Sequence, residues 1–248
     1  MSLSKDTLQL LDGLKLKGIH TELEAIIEEA EGRKVSYLSF LGSLLESEVQ
    51  YRKSRRLQRN LNRTHFPDQK REKRVTNYDF SRVNGISKTE TTDLQDFGWL
   101  YNRQNLLFFG PSGIGKTHLA IALVREAVEA GYTACFERAT NLMQILKTCQ
   151  IQRKAQFRIN RIRKADLVII DEVGYTPIER KEANLFFNLV SELYERSSII
   201  ITSNKVFSLW AEMMGDEIMT TAMLDRLLHH AKVFNMNGDS YRLTGKEE

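Results

Sequence analysis

The sequence predicts an α/β protein: a parallel sheet covered by helices on both faces, with a small helical region in front of it. After Asn105, short and nearly continuous apolar runs alternate with stretches of helical period, the pattern of strands buried on both faces between helices. Before that point apolar residues recur every three or four positions while Lys and Arg crowd the later turns, as on amphipathic helices with a charged face. A glycine-rich run follows the first apolar run directly and opens a helical stretch, so strand, loop and helix succeed one another as in a phosphate-binding unit.

Taken in order, Leu8, Leu11, Leu14, Ile19, Leu23, Ile26 and Ile27 stand at helical intervals over residues 6–30, with Gly13 and Gly18 weakening the middle. One or two amphipathic helices are expected there. Leu38, Leu41, Leu45 and Val49 predict a further helix over 36–63, ended by Phe66-Pro67-Asp68. Residues 68–104 are polar with weak periodicity and read as a linker and an irregular lead-in around Phe80, Leu94, Phe97 and Trp99. Strands are expected at 106–109, 133–136, 167–170, 198–202 and 232–236. Asn237-Gly238-Asp239 after the last of these predicts a tight turn and a closing hairpin with Ser240-Tyr241-Arg242-Leu243. The expected organisation is a helical basic region over 1–67, a lead-in over 68–104 and an α/β domain over 105–248.

A chain of 248 residues suits one core domain with a smaller appendage. With 42% hydrophobic and 27% charged residues it reads as globular, and no apolar run is long enough to span a bilayer. Met1-Ser2-Leu3-Ser4-Lys5-Asp6 lacks the pattern of a secretory signal, and Cys135 and Cys149, the only cysteines, form no Cys-x-x-Cys pair. A cytoplasmic protein with buried thiols and no membrane partner is expected. Net charge is +4, yet residues 51–74 hold ten Lys or Arg against Asp68 and Glu72, a local +8 that leaves the rest of the chain at −4.

The glycine-rich run Gly110-Pro-Ser-Gly-Ile-Gly-Lys-Thr117 matches G-x-x-x-x-G-K-[ST] in full. The chemistry needs glycines so that backbone N–H groups can close around phosphate oxygens at a helix N-terminus. Gly110, Pro111, Ser112, Gly113, Ile114, Gly115, Lys116 and Thr117, with His118 after them, are therefore the candidate ATP-binding residues. Lys116 is expected to reach the β and γ phosphates, and Thr117 to offer a hydroxyl to Mg²⁺. Leu167-Val-Ile-Ile-Asp171-Glu172 ends an apolar strand in two acids at the edge where open α/β sheets hold ligands. Asp171 is expected to bind the magnesium through water and Glu172 to polarise the water that attacks the γ phosphate. The strand at 198–202 delivers Ser203 and Asn204 to the same edge, where Asn204 can hold the attacking water or sense the γ phosphate. Lys116, Glu172 and Asn204 form the candidate catalytic set.

Asn105-Leu-Leu-Phe-Phe-Gly-Pro-Ser-Gly-Ile-Gly-Lys-Thr-His-Leu-Ala120, Asp166-Leu-Val-Ile-Ile-Asp-Glu-Val-Gly174, Ile201-Thr-Ser-Asn204, Leu224-Asp-Arg-Leu-Leu-His229 and Gly238-Asp-Ser-Tyr-Arg242 together resemble the DnaC-like branch of AAA+ ATPases. The last two runs, with the basic helical region, resemble within that branch the IstB-like transposition helper proteins of bacterial insertion sequences. The resemblance implies a P-loop AAA+ core, ATP with Mg²⁺, self-assembly into a homo-oligomer, duplex DNA and a cognate transposase as partners. It also puts Arg226 on the arginine-finger position, supplied to a neighbouring subunit, and Asn204 on the sensor position. About forty residues follow Asn204, too few for a full helical lid, so a reduced lid is expected and Arg242 is given no firm role.

Arg52, Lys53, Arg55, Arg56, Arg59 and Arg63 would cover much of one helix surface, which suits phosphate contacts that do not read sequence. A second cluster, Arg153, Lys154, Arg158, Arg161, Arg163 and Lys164, precedes the strand of Asp171 with no acid within it and is a second candidate for DNA. A replicative helicase loader is the alternative reading, since it uses the same engine; a small-molecule kinase is a third, for which no acceptor pocket is evident.

Overall fold

The computed structural model describes residues 5–67, 72–175 and 178–241. The chain divides into two compact units, Met1–Arg59 and Asn60–Glu248.

In the first unit, α1 (Lys5–Gly13), α2 (Lys17–Arg33) and most of α3 (Tyr37–Thr64) follow one another. Gly13 closes α1, but Gly18 has a packing reason: a Cβ there would lie 2.6 Å from Tyr51 Cβ and 2.7 Å from Glu48 Cα. The close approach brings the buried Glu48 carboxylate to the start of α2, where it accepts hydrogen bonds from the N–H groups of Gly18 (2.7 Å) and Ile19 (3.3 Å). A carboxylate there satisfies two orphan donors and faces the positive end of the helix.

The second unit is built on five parallel strands: β2 (Asn105–Phe109), β3 (Ala134–Arg138), β4 (Leu167–Val173), β5 (Ser198–Ser203) and β6 (Ala231–Asn235), in the order β3-β4-β5-β2-β6. Between them run α6 (Lys116–Glu129), α7 (Ala139–Thr148), α8 (Arg153–Ile162), α9 (Arg180–Leu193), α10 (Trp210–Met214) and α11 (Glu217–His229). Because side chains alternate along a strand, Leu107, Phe109, Val168, Ile170, Ile199 and Ile201 pack with Leu142, Ile159, Phe186, Trp210 and Leu227 of α7–α11 in one core. The alternate residues face the other way, where Phe108 stacks on Phe234 with ring centroids 5.1 Å apart.

Helix α6 is buried on more than one side, from Leu119 through Val124 without a break. The sheet covers one side, and the lead-in, β1 (Val83–Asn84), α4 (Lys88–Asp93), α5 (Gly98–Tyr101) and short 3₁₀ turns, contributes to the rest. Val75, Tyr78, Val83, Ile86, Leu94, Trp99 and Leu100 are buried there. The lead-in is therefore part of the folded unit, although its single apolar residues among polar ones leave no period to detect.

Among the described residues the closing hairpin is not formed, and Arg242 and Leu243 of its expected second arm lie outside them. Met236, buried, donates its N–H to the Phe109 carbonyl (2.7 Å), and Asn237–Gly238 become strand β7, antiparallel to β1 with Val83 opposite Gly238. The chain continues along the sheet edge because a backbone partner from the lead-in is at hand, one that no local turn propensity reveals.

Asn105 ties the sheet together at its far end. Its backbone N–H donates to the His230 carbonyl (2.7 Å), its Nδ2 to the Leu227 carbonyl (2.9 Å), and its Oδ1 accepts from the Ile199 N–H (2.8 Å). An unpaired buried polar group costs about 1–3 kcal/mol. Asn105→Ala orphans two of them and is expected to lower the unfolding free energy by about 2–5 kcal/mol, read by urea denaturation; a loss under about 0.5 kcal/mol would show that the side chain carries none of this.

Candidate functional site

The ends of β2, β4 and β5 meet at one cavity of about 400 Å³, because β5 lies between the two strands that carry the glycine-rich loop and the acidic pair. Gly113, Gly115, Lys116 and Thr117 line one wall; Glu172, Thr202, Ser203 and Asn204 line another. Gly110 has φ +143°, and a Cβ on it would stand 2.0 Å from the Met236 carbonyl oxygen, so the loop has this shape only with glycine there. Gly115 is the N-cap of α6 and contributes no side chain to its first turn, leaving that turn's N–H groups for an anion. Lys116, buried, curls back so that Nζ donates to the carbonyls of Gly110 (2.7 Å) and Pro111 (2.6 Å).

Asp171 is fully buried behind the lining residues Thr117 and Thr202. Its Oδ1 accepts from Thr117 Oγ1 (2.7 Å) and Thr202 Oγ1 (2.6 Å), while Oδ2 has no hydrogen-bond partner. A buried carboxylate oxygen in that condition calls for a cation or water. The donor set of one threonine hydroxyl and one carboxylate beside a phosphate-binding loop fits Mg²⁺, which takes one or two protein oxygens and fills the rest from phosphate and water.

At Glu172 the β4–β5 pairing shifts register, and the glutamate adopts φ +63°. A left-handed conformation at a non-glycine residue costs on the order of 1–2 kcal/mol. Its N–H donates to Thr202 Oγ1 (2.9 Å), which helps hold the turn and sends the carboxylate out of the strand into the cavity wall. There Glu172 Oε2 lies 3.8 Å from Arg138 Nε, both partly exposed. Asn204 is exposed just beyond β5.

The third wall carries no signal in the sequence. Lys73, Asn77, Tyr78, Asp79 and Tyr241 join His118 there. Tyr78 donates its hydroxyl to the Ile114 carbonyl (3.2 Å) and meets the His118 ring edge-on at 5.4 Å. Burial lowers the His118 pKa from the ordinary imidazole value, which keeps the ring neutral at pH 7. Tyr241 donates to the Asp79 carbonyl (2.5 Å) and its backbone N–H to the Gly113 carbonyl (3.1 Å). The lead-in thus meets the strap after β7 over the loop. A tyrosine in a polar stretch does not announce such a contact. Thr202 is likewise silent, since a threonine ending a strand reads as ordinary β propensity.

Arg226 is not brought to this cavity. It sits half-buried on α11, its guanidinium 5.0 Å from the Phe187 ring centroid and NH1 donating to the Ala222 carbonyl (2.8 Å). Arg242 lies outside the described residues. Of the basic residues, Arg52, Lys53, Arg55, Arg56, Arg59 and Arg63 are exposed on α3, and Lys17, Tyr51, Arg52, Arg55, Arg56 and Arg59 line one open concavity. Arg153 and Lys154 are exposed at the start of α8. Arg158 behaves differently: it pairs with the buried Glu137 from β3 and donates to the Phe136 carbonyl (2.9 Å). Arg161 donates to the Arg63 carbonyl, and Arg163 pairs with Glu192 (2.5 Å). The acid missing from the linear cluster is supplied by other elements. Cys135 is buried and Cys149 half-buried, both as free thiols.

The family model described as IstB-like ATP binding protein matches residues 9–248. The chain is 36% identical to the putative ATP-binding protein of insertion sequence IS21 from Pseudomonas aeruginosa, over 96% of this chain and 89% of that one. It is 36% identical to its counterpart in IS5376 of Geobacillus stearothermophilus, over 90% and 87%. Among solved structures, DnaI superposes with TM-score 0.60 at 15% identity over 73% of this chain and 98% of that one; the DnaC helicase loader gives 0.57 at 15% over 69% and 100%. At such identities the likeness is one of fold, and this chain shares that of DnaI and DnaC.

Thr202→Val keeps the strand's shape and removes the hydroxyl that holds both Asp171 and the Glu172 N–H. It is expected to weaken ATP binding in the presence of Mg²⁺ at least about tenfold, a change of ~1.4 kcal/mol, measured by calorimetric titration; unchanged affinity would remove Thr202 from the site.

Proposed function

Since the chain belongs to the IstB-like ATP binding protein family, we propose that it is a Mg²⁺-dependent ATPase that assembles on duplex DNA and stimulates the transposase of its insertion sequence. The observation that carries the ATPase reading is the convergence of Lys116, Thr117, Glu172 and Asn204 on one cavity, with Asp171 buried behind it and bonded to Thr117 and Thr202 of its lining.

In this reading the loop N–H groups and Lys116 bind the phosphates of ATP, Lys116 exchanging its two carbonyl contacts for phosphate oxygens. Thr117, and Asp171 through water, would hold Mg²⁺, which would supply positive charge to offset that of the phosphates. Glu172 accepts a proton from a water that Asn204 helps to place. That water's oxygen bonds to the γ phosphorus as the bond to the β-γ bridging oxygen breaks, giving ADP and phosphate. For this Glu172 must leave Arg138. Arg226, turned away from its own subunit's cavity, serves as the arginine finger of a neighbour, which makes turnover dependent on a homo-oligomer.

The DNA reading is supported by the concavity on α2 and α3, where Arg55, Arg56, Arg59 and Lys17, with Arg52 paired to Glu48, surround Tyr51. Guanidinium groups in that number suit phosphate oxygens and read no sequence. On α8 the reading rests on Arg153 and Lys154, because Arg158 is committed to Glu137. The same basic surface favours DNA over a helicase as the partner of this region. No helix among the described residues is long and apolar enough to cross a membrane, in keeping with a cytoplasmic setting on DNA.

Glu172→Gln is expected to keep ATP binding and slow hydrolysis about 10²–10⁴-fold; turnover at the native rate would refute its role. Arg226→Ala is expected to cost about 10³–10⁵, and mixing it with Glu172→Gln subunits should restore part of the activity, whereas absence of rescue at every mixing ratio counts against action between subunits. For DNA, log affinity should fall steeply with log salt, and Arg55→Ala/Arg56→Ala/Arg59→Ala should reduce that slope by about 3. A slope indifferent to salt and to these changes would exclude the concavity as the DNA surface.

A further inference from the structure

We propose that Glu195, His229 and His230 form a binding site for a divalent ion of the zinc class, separate from the nucleotide cavity. One ligand atom from each of the three residues lies within 4.8 Å of the others. None of the three lines the ATP cavity. The two histidines come from the end of α11 and its C-cap, and Glu195 from the turn after α9, so the cluster joins two elements that are distant in sequence and packed in space.

The backbone holds these residues in place. Glu195 adopts φ +59° in a tight turn, and the His230 carbonyl is tied to the Asn105 N–H at 2.7 Å. Tyr194 Oη lies 2.9 Å from His229 Nδ1, and the two imidazole centroids are 4.1 Å apart. An imidazole that gives one nitrogen to a metal presents its other N–H to a hydrogen-bond acceptor, which orients the ring; the tyrosine hydroxyl is such a group. Around a tetrahedral ion with bonds of about 2.0–2.2 Å, ligand atoms stand roughly 3.3–3.6 Å apart. Side-chain rotations of about an ångström therefore close the cluster on an ion, with water in the remaining position.

The donor set selects the metal. Two imidazoles and one carboxylate suit Zn²⁺ and neighbouring ions, whereas Mg²⁺ and Ca²⁺ take oxygen ligands and copper(I) takes thiolates or thioethers. Glu195 also supplies the negative charge that an ion needs near Arg226, whose guanidinium is drawn toward Phe187. An ion bound here would fasten the last turn of α11 to the turn after α9.

The test is equilibrium dialysis of the full-length, metal-stripped protein against Zn²⁺ without nucleotide, with excess Mg²⁺ present. One zinc per chain is expected, with affinity reduced at least about tenfold in His229→Ala and in His230→Ala and a smaller loss in Glu195→Gln. Because His20, His65 and His118 could also take zinc, His118→Ala serves as the contrast and should leave that affinity intact. Cobalt(II) provides a second readout that is independent of folding defects in any one variant: the native protein should give the intense visible absorption of a four-coordinate ion. Native protein that binds no zinc, zinc bound equally well by both histidine variants, or only the weak spectrum of hydrated cobalt would each overturn the proposal.

Discussion

The buried carboxylate of Asp171 is the constraint around which the cavity end of the sheet is arranged. A carboxylate with no exposure is tolerable only when its oxygens are matched, and Oδ1 is matched by two hydroxyls from different elements, Thr117 at the start of α6 and Thr202 at the end of β5. Those two bonds fix the distance between the phosphate loop and the acidic strand. The second oxygen has no protein partner, so the site is balanced toward a cation. Thr202 also accepts the Glu172 N–H, and so helps hold the strained turn that takes one acid of the pair out of the sheet while the other stays within it. Two neighbouring acids thus acquire different environments from one backbone irregularity.

Burial of α6 on several sides explains the shape of the remaining cavity. A helix buried along consecutive positions needs cover beyond the sheet, and the lead-in contributes Val75, Leu94 and its neighbours. The same segment carries Tyr78 and Asp79 to the mouth of the nucleotide site, so packing of the core helix and construction of the site's third wall are one event. The strap bearing Tyr241 closes on it through two backbone acceptors, those of Asp79 and Gly113.

Basic residues are used in two ways. On α3, Arg52 pairs with Glu48 (2.6 Å) while Lys53, Arg55, Arg56 and Arg59 stand exposed along the same helix, the arrangement that favours a polyanion. On α8, Glu137 from β3 and Glu192 from α9 draw Arg158 and Arg163 into ion pairs. Two runs that look alike as sequence therefore differ in available charge, and the difference lies in what the sheet brings up behind them.

The sequence by itself determined the five strands to within a residue or three at their ends, the α3 helix nearly in full, and that the glycine-rich loop, the two acids and Asn204 come to one edge of the sheet. Each is encoded locally, by an apolar run, a helical period or a glycine pattern whose chemistry admits few substitutes. Only the tertiary structure decided what depends on partners far along the chain. Asn237–Gly238 has every local mark of a turn and becomes a strand because β1 offers a backbone ladder. Tyr78 and Tyr241 are given no site role by the sequence and reach the loop from opposite ends of the domain, Tyr78 at the Ile114 carbonyl and Tyr241 at the Gly113 carbonyl. Arg158 reads as a free cation until Glu137 is placed beside it, and His229 and His230 come near Glu195 only once the turn after α9 is folded against the end of α11. Local propensity acts over a few residues; these contacts join residues far apart along the chain, and only the closed sheet sets their distances.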